Sequence, residues 1–168
     1  MTPAEDEASD RRREFEHAVR LETGRLLGLA FSILRDAGEA EDAVQETMVR
    51  AWKAWDTIAD PERRGAWLTR ICINHCRHRR RARRWLLWAD RTTDEPDQLA
   101  ATHVDEIDLD MDAAFRRLTL QQRTVIALHY GYGYSLDECA DLMGCRPGTV
   151  RSHLARALAT LRREITHE

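Results

Sequence analysis

The stretch LTLQQRTVIALHYGYGYSLDECADLMGCRPGTVRSHLARALATLR, Leu118 to Arg162, decides how this chain is read. Thr119-Leu-Gln-Gln122 has the form of a capping box, in which a hydroxyl and a Gln side chain satisfy each other's backbone N–H groups at a helix start. It opens a helix predicted to run to about Tyr130, and GYGY (Gly131 to Tyr134) is turn material. Ser135-Leu-Asp-Glu138 repeats the box, with Tyr134 and Cys139 spaced as a hydrophobic staple. That short helix stops at Gly144, where a left-handed residue costs glycine nothing. Pro147 then suits the first turn of a new helix. In this last helix Val150, Leu154, Ala157 and Leu161 share one face, while Thr149, Ser152, His153 and Arg156 point the other way, with Arg151 at the flank. Helix, tight glycine turn and helix make a helix-turn-helix, whose second helix fits the DNA major groove. Arg can pair with guanine, and Ser, Thr and His can take base or phosphate contacts. Arg146, Thr149, Arg151, Ser152, His153 and Arg156 are therefore the candidate duplex readers.

Immediately upstream the composition changes. DRTTDEPDQLAATHVDEIDLDMD, residues 90–112, holds nine acids and one Arg, net -8, with no aromatic residue. So little apolar surface cannot offset the entropy of ordering a chain, and residues 90–111 read as a flexible acidic linker.

Before the linker the pattern is helical throughout, with no alternating strand signal. Phe15, Val19, Leu26, Ala30 and Ile33 fall at helical spacing, and Asp36-Ala-Gly38 interrupts. A second helix is predicted from about Glu39 to Trp55, with Ala40, Ala43, Val44, Thr47, Ala51 and Trp55 inward. Asp60-Pro61 reads as an N-cap followed by a first-turn proline. A third helix follows from about Gly65 into an arginine run. Residues 36–62 hold eight acids and two bases, whereas residues 63–84 hold nine arginines and no acid. All five tryptophans lie between Trp52 and Trp88. Arginines on a helix can neutralise phosphates, and exposed aromatic rings can stack on unpaired bases. Trp52 and Trp55 read as core. Residues 1–12 read as a disordered tail.

The whole chain has 168 residues, 43% hydrophobic and 33% charged, enough for two small packed domains. The fold class is all-α: a helical domain over 13–89, the linker, and a helix-turn-helix domain over 112–168. A net charge of -3 excludes a uniformly basic nucleic-acid binder, so contact must be local. No run reaches the ~20 apolar residues of a membrane span, and the N-terminus does not read as a secretory signal. A cytoplasmic location is expected, with the four cysteines as thiols.

These residues carry a resemblance. The 118–162 stretch resembles the promoter −35-binding domain of bacterial sigma factors. LLGLAFSILRDAGEAEDAVQETMVRAWKAW with GAWLTRICINHCRHRRRAR is similar to their core-binding and −10-binding domain. The order of the two, across an acidic linker and without further domains, resembles the compact extracytoplasmic-function group of the sigma-70 family. The resemblance implies a factor that directs core RNA polymerase to promoters in stress responses. Asp42, Gln45, Glu46 and Arg50 match the helix that docks on the beta-prime clamp, and the second domain would meet the beta flap. Arg63, Arg64, Trp67, Arg70, Asn74, Arg77 and Arg80 match the −10-binding side, of which Trp67, Arg70 and Asn74 share one face at i, i+3 and i+7. Asp56 to Arg64 matches the loop that captures an unstacked −10 base. Arg151, Ser152, His153 and Arg156 match the −35 readers, with His153 standing where the family often has Arg. An anti-sigma factor wedged between the domains is the further implied partner.

A stand-alone helix-turn-helix regulator is the alternative, but it leaves the acidic face at Asp42 and the Trp/Arg helix unexplained. Cys72, His75, Cys76 and His78 cluster on the third helix and raise the question of zinc or oxidation. Cysteines at i, i+4 on an inner face read instead as small core residues, as do Cys139 and Cys145. No metal or other cofactor is expected. No Ser/His/Asp set, phosphate-cradling glycine loop or carboxylate pair is present, so no catalytic residue is assigned and the chain is not read as an enzyme.

Overall fold

The computed structural model describes residues 3–58, 60–89 and 106–165. Helix α1 spans Pro3–Leu34, and its Leu26, Leu29, Ala30 and Ile33 are fully buried, one stripe at helical spacing. Arg35 ends it in the left-handed conformation (φ 59°), with its N–H bonded to the Phe31 carbonyl at 2.8 Å. Asp36 then caps α2 (Ala37–Lys53), accepting from the Glu39 N–H at 2.8 Å. Ala40, Ala43, Val44, Thr47 and Ala51 are buried as expected, and Trp55 follows in a short 3-10 turn, Trp55–Thr57.

Helix α3 spans Pro61–Ala89, starting four residues earlier than its periodicity indicates because Asp60 accepts from the Glu62 N–H at 3.0 Å. Leu68, Thr69, Cys72, Ile73 and Cys76 form its buried face. Burying each Leu or Ile side chain contributes about 1.5–3 kcal/mol, which holds α1, α2 and α3 together as one unit.

The second unit begins with α4 (Glu106–Arg117), followed by α5 (Leu120–Ile126), a π-turn over Ala127–Gly131, α6 (Leu136–Met143) and α7 (Pro147–Ile165). Both capping boxes are formed: Thr119 with Gln122, and Ser135 with Glu138. Gly144 takes φ 63°, ψ 41° at the end of α6. Among the described residues there is no strand.

Two expectations change. The tail assigned to residues 1–12 is helical from Pro3 onward; along it Arg12 pairs with Glu16 and Arg13 with Asp10, and Arg11 reaches across to α2. The linker assigned to 90–111 gives way to helix at Glu106. Ala114 of α4 and Leu118 just after it are buried, and Asp112 is bonded to the Arg35 guanidinium. Residues 90–105 lie outside the described residues.

The two units share one apolar core. Val125, Leu128, Cys139, Leu142, Met143 and Val150 belong to the same buried cluster as Leu26, Ile33 and Cys72. A smaller cluster of Leu118, Ile126 and Ala157 ties α4 and α5 to α7. Polar bonds cross the seam as well: Arg77 donates to the Met143 carbonyl at 2.8 Å and Tyr132 to the Arg25 carbonyl at 2.9 Å. Arg25 is itself fixed by Glu22, the Gly65 carbonyl and the Thr69 hydroxyl.

Candidate nucleic-acid interface

The outer face of α7 is built by the turn before it. Gly144 bends the chain, Cys145 donates its N–H to the Ala140 carbonyl at 3.1 Å, and Arg146 starts α7 by accepting from the Thr149 N–H at 2.9 Å. Val150 and Ala157 are buried beneath. Arg146, Thr149, Arg151, Ser152 and Arg156 are exposed on the opposite side, and His153 is half-buried among them. Arg151 approaches Asp137 at 3.5 Å, a loose contact between exposed groups and hence a weak one. Partial burial, then the neighbouring Arg156 cation, lowers the His153 pKa from its ordinary value.

A second basic surface runs along α3. Arg63, Trp67 and Arg70 line one side of a cleft of about 680 Å³, and Glu138, Asp141 and Leu142 of α6 line the other. Farther along, Asn74, Arg77 and Arg80 face Thr119 and Gln121 of the second unit across about 420 Å³. Six of the seven residues expected on this side thus share one line of clefts. Arg64 turns elsewhere: its guanidinium lies 4.4 Å from the centre of the Trp55 ring and pairs with Glu14 at 3.1 Å, leaving the side chain 18% exposed. Trp55 is core as expected. Trp52 is not: it is 37% exposed, with the Arg11 guanidinium 4.5 Å over its ring.

The outer face of α2 carries Asp42, Gln45, Glu46 and Arg50, all at least partly exposed. Arg50 pairs with Glu46 at 3.0 Å, and its hydrogen bond holds the Glu46 carboxyl below the usual carboxylate range. Arg79 of α3 reaches Asp42 at 3.0 Å. His75 lies beside this face with its Nδ1 buried, and burial, then Arg50, lowers its pKa. Sequence spacing finds the α2 stripe but not His75 or Arg79, which come from a helix 30 residues later.

Cys72, Cys76 and Cys139 are fully buried, and Cys145 is half-buried, less enclosed than expected. Among the described residues no group of three or more His, Cys, Asp or Glu is placed to hold a metal ion, and no helix is long and apolar enough to cross a membrane.

The three-helix unit and the helix-turn-helix unit each match a known family: Sigma-70 region 2 over residues 18–86, and Sigma-70, region 4 over residues 108–161, respectively. This chain belongs to the sigma-70 family. Its similarity extends to whole sigma factors. It is 36% identical over 160 residues to the RNA polymerase sigma-E factor of Streptomyces avermitilis, covering 90% of this chain and 85% of that one. It is 33% identical over 139 residues to the ECF RNA polymerase sigma factor SigL of Mycobacterium tuberculosis, covering 79% and 78%. Among solved structures, the sigma factor RpoE of Bartonella quintana, in complex with the anti-sigma factor NepR, matches with a TM-score of 0.76 and 28% identity. That match covers 93% of this chain and 99% of that one. CnrH in complex with the cytosolic domain of CnrY matches with a TM-score of 0.66 and 27% identity, covering 96% and 94%. As a sigma factor, the chain belongs to a class of transcription-initiation regulators.

In this sigma factor region 2 corresponds to α1–α3 and region 4 to α4–α7. The residues expected at the −35 element form one open face on region 4, while those expected at the −10 element, Arg64 apart, look toward region 4 itself.

Proposed function

We propose that this sigma factor directs core RNA polymerase to promoters through three surfaces. The α2 face of Asp42, Gln45, Glu46 and Arg50 docks on the beta-prime clamp, and region 4 engages the beta flap. Arg63, Trp67, Arg70, Asn74, Arg77 and Arg80 meet the −10 element, and the loop from Asp56 toward Arg64 captures a base from the melted strand. Arg146, Thr149, Arg151, Ser152, His153 and Arg156 meet the −35 duplex in the major groove. The observation that carries this reading is the segregation of side chains: cationic and polar groups outward on α7 and lining the clefts along α3, carboxylates outward on α2.

The energetics divide the work. Phosphate contacts by arginine supply salt-dependent affinity without sequence information, while a bidentate base contact supplies about 1–3 kcal/mol of discrimination. Extruding a −10 base costs a few kcal/mol, which contacts in the loop must offset. The packing of region 4 along α3 adds a condition. Arg77 is bonded to the Met143 carbonyl, so it must release region 4 before it can take a phosphate. An anti-sigma factor seated between the two units is the further partner, and the protein works in the cytoplasm alongside the polymerase.

The test is runoff transcription with purified core polymerase on templates that include the upstream region of this chain's own gene. A promoter-specific product that depends on this chain supports the reading. No product on any template, with core polymerase that responds to another sigma factor, overturns it.

A further inference from the structure

The first turns of α1 precede residue 18, where the region 2 match begins, yet they hold both ends of the loop just assigned to −10 base capture. Arg11 makes a set of contacts with one guanidinium. It pairs with Asp56 at 3.0 Å, donates to the Trp52 carbonyl at 3.0 Å and stacks on the Trp52 ring at 4.5 Å. Glu14, one turn on, pairs with Arg64, whose own guanidinium covers Trp55. Phe15 lies between the two rings, 5.0 Å from Trp52 and 5.0 Å from Trp55, edge-on to the latter at 88°. Positions 11, 14 and 15 are i, i+3 and i+4, one face of one helix.

We propose that Arg11, Glu14 and Phe15 form a brace that positions the −10 recognition loop by fixing Asp56 at its entrance and Arg64 at its exit. They are positioning residues and touch no DNA. The proposal rests on the reading of that loop as the base-capture element.

The magnitudes favour a role in geometry over one in global stability. Asp56 and Glu14 are 70% and 57% exposed, and ion pairs in that setting stabilise a fold only slightly. Among the described residues of the loop the bonds are short-range: Thr57 and Ile58 to the Ala54 and Trp55 carbonyls at one end, Glu62 and Arg63 to Asp60 at the other. A loop held at both ends loses less freedom when a base enters, so preorganisation shows as affinity and selectivity for the captured base. A cavity of about 340 Å³, lined by Arg11, Glu14, Trp55, Asp56, Ile58 and Arg64 among others, lies between brace and loop.

The experiment uses holoenzyme assembled from core polymerase and the full chain. The probes are labelled single-stranded oligonucleotides spanning the non-template −10 element of a promoter that this holoenzyme transcribes, with all four bases at each position. Wild-type holoenzyme prefers one base at the captured position. R11A/E14A loses about three- to tenfold of that preference, and Arg11→Lys, which keeps the charge, recovers part of it. Core-polymerase affinity, −35 duplex binding and the circular dichroism spectrum stay as in wild type. Unchanged preference in R11A/E14A, alongside its loss in Ile58→Ala, overturns the brace and leaves the loop assignment standing. Unchanged preference in both variants, or none in wild type, overturns the brace together with the loop assignment. Equal losses of base preference and core affinity mark a merely structural role and also overturn it.

Discussion

Tyr132 of region 4 donates its hydroxyl to the backbone carbonyl of Arg25 in region 2, 107 residues away in sequence and 2.9 Å in space. The contact is close because position 28 is glycine: a Cβ there would stand 3.0 Å from the Tyr132 hydroxyl oxygen. Partial burial raises the Tyr132 pKa, so the phenol stays a donor throughout the neutral range. Tyr132→Phe removes one interunit hydrogen bond, about 0.5–1.5 kcal/mol, without disturbing either local core. Gly28→Leu inserts a side chain into the seam. Small-angle scattering of both variants is expected to show a larger radius of gyration than wild type, Gly28→Leu the larger of the two. Unchanged scattering from Gly28→Leu would mean that the seam does not depend on this contact.

Gly144 is the turn of the helix-turn-helix, and at φ 63° an added Cβ is strained by conformation alone, since nothing lies within 4 Å of it. Gly144→Ala is therefore expected to destabilise the protein by about 1–2 kcal/mol, the left-handed penalty for an L-residue. Gly144→Asn should cost less, because Asn tolerates that conformation. Thermal melts of the two variants check the order.

What could be read in the sequence was local. Thr119 with Gln122, Ser135 with Glu138, and Asp60 ahead of Pro61 act over three residues or fewer, and all of them start helices in the structure. The buried stripe of α2 and the exposed set on α7 followed from helical period alone. Partners far along the chain were hidden. The acidic and basic residues at positions 5–14 have the composition of a solvated tail, and it is Trp52, Asp56 and Arg64, far along the chain, that give their helix something to hold. Arg64 reads as one more arginine in a basic run, yet Glu14 and Trp55 occupy it. That region 4 rests on α3 depends on Met143 meeting Arg77 and Tyr132 meeting Arg25, pairings that no periodicity encodes.

The cysteines give a chemical readout of the core. Cys72, Cys76 and Cys139 are fully buried, and burial pushes the Cys139 thiol up to about 11. The adjacent Cys72 side chain, with burial, raises Cys76 as well. Alkylation follows the thiolate and its access, so iodoacetamide at pH 7.5 should modify native protein at Cys145 alone, and all four cysteines after denaturation. Peptide mass spectrometry distinguishes the sites. Rapid native labelling of Cys72 would show that the α2–α3 packing opens.

His153 is expected to make duplex binding by the outer face of α7 sensitive to pH. Its pKa lies below the ordinary value because it is partly buried and next to Arg156, so the side chain is neutral at pH 7 and above. In the free protein the unfolded chain takes up this proton first as pH falls. Its contribution to stability is therefore complete above the ordinary pKa and declines between that value and the lowered one. On DNA the sign is opposite, since phosphates favour the imidazolium and proton uptake accompanies binding. Duplex affinity for the −35 element should accordingly rise as pH falls from 7.5 to 5.5, after allowance for any shift in salt dependence. Fluorescence anisotropy with His153→Gln supplies the control. The variant should bind with the wild-type strength at pH 7.5 within about threefold and show a flatter pH profile. An equally steep profile in His153→Gln would place the titrating group elsewhere on the complex.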